Sequence, residues 1–336
     1  MTVLRTTSTL RRGLQTSLLA SRQFSTTVRR DAAWGFIGLG AMGYPMAKNL
    51  RAKIPEDDTM TVFDVNAAAL ERFAKEAEPN NVTVAKAPRE VVENSDHIIS
   101  ALPEPQHVKG VFGDVFASKL PSPPSESSRI FIDCSTIDPT TSRSVATQVT
   151  EHGDADFVDA PMSGGVVGAR AGTLTFMVGA DEKLVKRVET ILMLMGKKVW
   201  HMGPQGTGLS GKLANNYALA INNIGAAEAM NLGIKWGIKP KALADLINSA
   251  TGKSWPSEIN NPVPGVLENS PSSRDYEGGF GVSLMKKDLR LAMTAAEEAD
   301  AKLVLADKAK EVYEETEKAH KGKDFSVVYQ WLTGKS

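Results

Sequence analysis

The chain has 336 residues and a mass of 36.1 kDa, 42% hydrophobic and 23% charged, a globular composition with room for one large core or two smaller ones. Basic and acidic side chains each total 39, but six arginines and no acid fall in residues 1–30, so the remainder is net acidic, which disfavours a body that coats nucleic acid or an anionic membrane. The single cysteine, Cys134, excludes a disulfide framework and a Cys-cluster metal site, the five histidines lack ligand spacing, so no metal is expected, and no apolar run reaches the roughly 18 residues of a membrane span.

Residues 1–30 are rich in Arg, Ser and Thr, with leucines at 4, 10, 14, 18 and 19 that form an apolar stripe on a helix opposite arginines. A negative membrane potential pulls such a helix and its apolar face is gripped, which is the recipe for a mitochondrial transit peptide. Arg22-Gln23-Phe24-Ser25 resembles a matrix-processing site. A mitochondrial matrix address is expected, with a disordered basic tail as the competing reading.

The first expected strand, Ala33–Ile37, runs into Gly38-Leu39-Gly40-Ala41-Met42-Gly43, then a helical stretch to about Lys53 and a second strand, Met60–Phe63. A G-x-G-x-x-G motif between a strand and a helix suits a pyrophosphate. Gly38 permits the tight turn, Gly40 lets the backbone approach the anion, and Gly43 lets helix and strand pack closely. The helix N-terminus adds unpaired N–H groups. Asp64 ends the second strand, where a carboxylate accepts from a ribose diol and repels a 2′-phosphate. No arginine follows in Val65-Asn66, so NAD is favoured over NADP. A helix-capping role is the alternative for Asp64. Further strands are expected at Val82–Val84, from His97 into Leu102-Pro103, and at Ile130–Asp133. Ligands bind beyond the carboxyl ends of parallel strands, so Leu102, Pro103 and Thr136 are expected to border the cofactor.

Ser163-Gly164-Gly165 follows an apolar strand, Phe157–Ala160, and its consecutive N–H groups can converge on an anion. A glycine turn needed only for shape is the rival reading, and Arg170 reads as a surface residue. A long helix is expected from near Leu209 to Trp236, ended by Gly237. Fifteen uncharged residues separate Lys212 from Glu228, so burial on most sides is expected. Lys212 and Asn216 share a face at i, i+4, with Asn223 roughly on it. Burial and the positive helix end both favour loss of the lysine proton, which suits a general acid/base. The remainder reads as helical: Lys241–Ala250, a loop through Asn260–Gly265, helices over Phe280–Glu298 and Lys302–Ala319, and an apolar tail, Phe325–Leu332.

Taken together, Phe36–Leu50, Asp159–Leu174, Gly206–Asn216, and Phe280 with Lys287-Asp288 resemble the β-hydroxyacid dehydrogenase family over about residues 33–333. The resemblance implies an α/β N-terminal Rossmann-type domain with a mostly parallel sheet over residues 31–200. A long helix would join it to an all-α C-terminal substrate and dimerisation domain over 201–336. It implies that Lys212 is catalytic and that Ser163, Gly164, Gly165 and Asn216 hold the substrate. Cofactor-binding residues would be Gly38, Leu39, Gly40, Ala41, Met42, Gly43, Asp64, Leu102, Pro103, His107, Thr136, Phe280 and Lys287. His107 departs from the Asn that close relatives carry in the loop after Pro103. Implied too are NAD-linked oxidation of a small hydroxy acid, (S)-3-hydroxyisobutyrate to methylmalonate semialdehyde in valine catabolism, without metal, and a homodimer or homotetramer. The rivals are a tartronate, glyoxylate or succinate semialdehyde reductase of the same family, and a non-catalytic NAD-binding module.

Overall fold

In the computed structural model, the described residues are 32–77, 81–124, 128–152 and 155–334, so the expected transit peptide lies outside them. In chain order the strands are β1 (Ala33–Ile37), β2 (Thr59–Phe63), β3 (Val82–Val84), β4 (His97–Ser100), β5 (Arg129–Asp133), β6 (Ala155–Asp159), β7 (Met162–Ser163), β8 (Leu174–Gly179) and β9 (Gly196–Gly203). Helices α1 (Gly43–Lys53), α2 (Ala67–Glu76), α3 (Pro88–Glu93), α4 (Pro105–Val115), α5 (Pro139–His152), α6 (Gly165–Ala171) and α7 (Glu182–Leu192) alternate with them. Beyond the sheet come α8 (Thr207–Lys235), α9 (Pro240–Ser249), α10 (Trp255–Glu258), α11 (Val282–Glu298), α12 (Ala306–His320) and α13 (Val328–Thr333).

The sheet order is β3-β2-β1-β4-β5-β6-β8-β7, with β9 on β8. From β3 to β6 every pairing is parallel; β8 runs antiparallel to β6 and β7, and parallel to β9. The order reverses between β1 and β4, and a crevice opens at their carboxyl ends. Side chains alternate between the two faces. Phe36, Ile99, Ile132 and Val158 pack with α1, α2 and α7 residues such as Leu50, Phe73 and Val188. Ile37, Ile98, Phe131 and Phe157 pack with Val91, Phe112 and Val145 of α3, α4 and α5. Each fully buried side chain of this size contributes roughly 1.5–3 kcal/mol, so a one-residue slip that swapped the faces would be prohibitive. The sheet extends to Gly203, past residue 200, because β9 continues until the turn that starts α8.

The C-terminal helices enclose a second core of Ala220, Ala227 and Met230 on α8, Leu243 on α9, Met285 and Leu289 on α11, Tyr313 on α12, and Phe325 and Val328 in the tail. Several sequence expectations shift here. The third long helix starts at Ala306 rather than Lys302. Phe280 lies before α11, not in it, because Phe280 and Gly281 are held extended: Phe325 N–H donates to Phe280 O at 2.8 Å, and Gly281 bridges Asp324. The long helix α8 is buried along one stripe, Lys212, Asn216, Ala220, Asn223, Ala227 and Met230, rather than on most sides. Ala214, Ala218, Gly225, Ala229 and Leu232 form an exposed uncharged row opposite. Among the described residues no helix is long and apolar enough to cross a membrane.

Candidate active site

The glycine loop leaves β1 at Gly38, whose φ of 98° lies in the left-handed region. Its N–H donates to Phe63 O at 2.9 Å, and a Cβ there would overlap the Ala101 carbonyl oxygen at the end of β4. A Cβ on Gly43, the first residue of α1, would collide with the Gly38 carbonyl. Gly40 differs: a Cβ there meets nothing within 4 Å, and Gly40 and Ala41 are exposed above the start of α1, with Met42 as its N-cap. Open space over a G-x-G turn at a helix N-terminus fits a dinucleotide pyrophosphate. Asp64 accepts from Leu39 N–H at 2.5 Å and from Asn66 N–H at 2.7 Å. Asn66, not Asp64, caps α2. Asp64 therefore braces the glycine loop from the end of β2. The first arginine after it in sequence, Arg72, sits 3.9 Å over the Tyr44 ring.

On the other side of the crevice, Leu102 N–H donates to Ser135 Oγ at 2.8 Å, next to the half-buried Thr136. The fully buried Asp133 accepts from Ser135 Oγ at 2.6 Å and Ser100 Oγ at 2.8 Å. Burial pushes its carboxyl above the usual range, and these hydroxyls pull it back. This cluster ties together the loops that leave β4 and β5. His107 is exposed in the first turn of α4, not in a loop, because Pro105 at the helix start lets the helix begin earlier.

Three segments converge on Lys212. The two-residue β7 places Ser163 opposite Thr175, and Gly164 and Gly165, with φ of 131° and 60°, turn the chain into α6. A Cβ on Gly165 would meet nothing, so its backbone faces open space. Arg170 is exposed on the last turn of α6. Lys212, in the second turn of α8 and 6% exposed, donates from Nζ to Ser163 Oγ at 3.1 Å. Burial pushes the Lys212 ammonium below the ordinary lysine range; Asp288 pulls it partly back up and Lys287 lowers it further. One turn on, Asn216 donates from Nδ2 to Asp288 Oδ2 at 2.6 Å. Burial raises the Asp288 carboxyl, against Lys212, Lys287 and the Asn216 bond. Lys287 reaches across to the sheet half and donates to Pro103 O at 2.6 Å.

The structure thus brings Ser163, Lys212, Asn216 and Lys287 together beside the Leu102-Pro103 loop. Two expectations part from the cluster. Asn223 donates instead to Tyr313 OH at 3.1 Å and Phe325 O at 3.0 Å, inside the helical core. Phe280 packs edge-on against Phe325 with ring centroids 5.9 Å apart. The sequence by itself assigns no role to Asp288, Asp133 or Asp159; the last two each end an apolar strand with a carboxylate, which is the signal that marks them.

Residues 33–203 match the family described as the NAD binding domain of 6-phosphogluconate dehydrogenase, and residues 206–332 match the NAD-binding family of NADP-dependent 3-hydroxyisobutyrate dehydrogenase. The chain is 43% identical over 299 residues to mitochondrial 3-hydroxyisobutyrate dehydrogenase of Mus musculus, covering 89% of this chain and 86% of that one. It is 40% identical over 297 residues to an NAD-dependent L-serine dehydrogenase of Pseudomonas aeruginosa, covering 87% and 95%. Among solved structures, Mycobacterium tuberculosis 3-hydroxyisobutyrate dehydrogenase with L-serine superposes with a TM-score of 0.82 at 37% identity, covering 90% and 99%. These likenesses run through both halves of the molecule and agree with the glycine loop and the buried lysine: the chain belongs to the 3-hydroxyisobutyrate dehydrogenase family of β-hydroxyacid dehydrogenases.

Proposed function

We propose that the protein oxidises (S)-3-hydroxyisobutyrate to methylmalonate semialdehyde with NAD, a step of valine breakdown. The observation that carries this reading is Lys212: a buried ammonium, pushed toward its neutral form, with Nζ 3.1 Å from a hydroxyl at the mouth of a glycine turn. Ser163 Oγ marks a position for a substrate oxygen. Lys212 Nζ takes the hydroxyl proton in oxidation and returns it in reduction. Bound NAD supplies the hydride acceptor. Ser163, Gly164 and Gly165 hold the substrate carboxylate through backbone N–H groups and the serine hydroxyl, while Asn216, braced by Asp288, orients the substrate from the other side. Gly38 to Gly43 and Asp64 hold the cofactor from the sheet half, Leu102, Pro103, His107 and Thr136 line it, and Lys287 reaches it from the helical half. In this division residues 31–200 form the cofactor-binding domain and also carry the Ser163–Gly165 substrate loop, while 201–336 form the helical substrate and assembly domain.

NAD rather than NADP follows from Asp64, whose charge at the ribose edge repels a 2′-phosphate. L-serine is a second substrate to consider, because it accompanies the Mycobacterium relative and names the Pseudomonas one. It shares the HOCH2–CH–COO− frame and replaces the methyl group with an ammonium. The test is the initial rate of NADH or NADPH formation with 3-hydroxyisobutyrate, L-serine, 3-hydroxypropionate and glycerate. Fast turnover with NAD and 3-hydroxyisobutyrate, lost in Lys212→Ala, is expected. Preference for NADP or glycerate would overturn the reading, and NAD binding without turnover would favour a non-catalytic module.

The exposed uncharged row on α8, with Leu232 and the 72%-exposed Trp236 at its end, supports a homo-oligomer, dimer or tetramer. A monomer in light scattering would contradict it. The Arg-rich, acid-free residues 1–30 act as the presequence for the mitochondrial matrix; the mouse relative carries the mitochondrial name. Cytosolic residence of a full-length fluorescent fusion would contradict that.

A further inference from the structure

We propose that Asp159 is the positioning residue that aims Lys212 at the substrate loop, by latching the first turn of α8 to the strand that leads into Ser163. Asp159 ends β6 fully buried, four residues before Ser163. Its Oδ1 accepts from Gly206 N–H at 2.5 Å and its Oδ2 from Leu209 N–H at 2.8 Å. Leu209 lies three residues, under one turn, ahead of Lys212. One carboxylate therefore joins the segment that carries Ser163 to the helix that carries Lys212, and it fixes the separation of their functional atoms.

The site is built for this carboxylate. The N-cap residue, Gly206, brings no side-chain cap, and the first turn of α8 holds no acid of its own. A Cβ on Gly179 would overlap Asp159 Oδ1, and one on Gly208 would stand 2.8 Å from Oδ2 and collide with the Met177 carbonyl. Gly206 has φ of 91°. Gly179 on β8 and Gly208 in the first turn of α8 thus leave room for a side chain that arrives from β6. The position of Lys212 matters because a displacement of about 1 Å at a reacting group can cost about a hundredfold in rate.

Two N–H donors on two oxygens call for the ionised form. Burial pushes the Asp159 carboxyl up to about 6, and the Asp133 charge on the neighbouring strand adds to this, while the two N–H bonds pull it down. On the elements packed nearby, Arg143 of α5 lies against Gly206, one of the two donors, and His201 of β9 is bonded to Ala180 O at 2.9 Å, next to Gly179. The latch therefore loosens as pH falls through about 6.

The kinetic arm rests on Lys212 as the acid/base, so it is read in the reduction direction. There Lys212 must carry its proton, and falling pH only favours that form. A loss of rate near pH 6 is then the signature of the latch. Asp159→Asn is expected to lower kcat for reduction by roughly tenfold or more, with NADH affinity unchanged and the acid limb gone. Hydrogen exchange supplies an arm independent of turnover: residues 206–213 should lose protection in the variant while β5 and α11 keep theirs. Wild-type kcat in Asp159→Asn, an acid limb that survives in it, or exchange that rises over the whole chain would overturn the proposal. Should the variant not fold, wild-type exchange decides: protection of 206–213, corrected for intrinsic rate, should fall selectively from pH 7 to 5, and constant protection overturns the latch. If Lys212→Ala stays active, the acid/base reading fails by itself, and exchange still judges Asp159.

Discussion

Lys287 on α11 donates its ammonium proton to the carbonyl of Pro103, 184 positions earlier, at 2.6 Å. Close by, Arg290 pairs with Glu104 at 3.0 Å. The helical half is thereby pinned to the loop that leaves β4, at the edge of the cofactor crevice. The two links differ in weight. Burial makes the half-buried Lys287 ammonium easier to deprotonate, against Asp288 and Glu104, whereas Arg290 is about half exposed and its pair is screened.

From that contrast, Lys287→Met should weaken NAD binding by roughly tenfold, the equivalent of about 1.4 kcal/mol. Arg290→Ala should change it by less than about threefold. Titration of NAD against the two variants decides the matter, and equal effects would remove Lys287 from the cofactor site.

Removing the acid/base has a different signature. Lys212→Ala should lower kcat by roughly a hundredfold to ten-thousandfold, the usual worth of positioned proton transfer, with NAD affinity intact. Turnover close to wild type would show that the proton travels elsewhere.

The pH dependence follows from the direction of the Lys212 shift. Burial lowers its pKa from the ordinary 10.5, so the neutral base is populated below that value. Oxidation, which needs the base, should rise with pH through the lowered pKa, and reduction, which needs the acid, should fall through it. Asp288 holds the value up, so Asp288→Asn should move both limbs to lower pH. A shift upward, or a limb moved by Asp288→Asn that has the same sense in both directions, would contradict this electrostatic account.

Gly40 and Gly43 look alike in the motif but should fail differently. A Cβ at Gly43 collides with a carbonyl of the turn, and Gly43→Ala should cost about 3 kcal/mol or more of stability. Gly40→Ala meets open space and should cost less than about 0.5 kcal/mol, yet it should weaken NAD binding, because the methyl occupies the pyrophosphate position. Thermal melts with and without NAD separate the two.

Much of the cofactor half was legible because its signals are local. The turn Gly38–Gly43, the strand before it and Asp64 after it follow from backbone conformation and short-range spacing. The same holds for the start of α8, where a glycine turn precedes a run without charge. The stretch from Leu174 to Gly203 gave no comparable signal: β8 and β9 are defined by pairing with β6, β7 and each other. The roles of Asp133, Asp159 and Asp288 stayed hidden for the same reason, since an aspartate reads as a surface residue until its burial and distant N–H or amide partners are known.

Asn216 and Asn223 mark the division most clearly. Their seven-residue spacing sets both on one stripe of α8, and the sequence determines that much. Tertiary packing decided their fates. They stand about 10 Å apart along the helix axis, so the first meets Asp288 beside Lys212, and the second meets Tyr313 and the Phe325 carbonyl in the helical core. Helical periodicity selects a face; which neighbours cover each part of it depends on chain segments some 70 to 100 positions away, whose arrival only the packed core specifies.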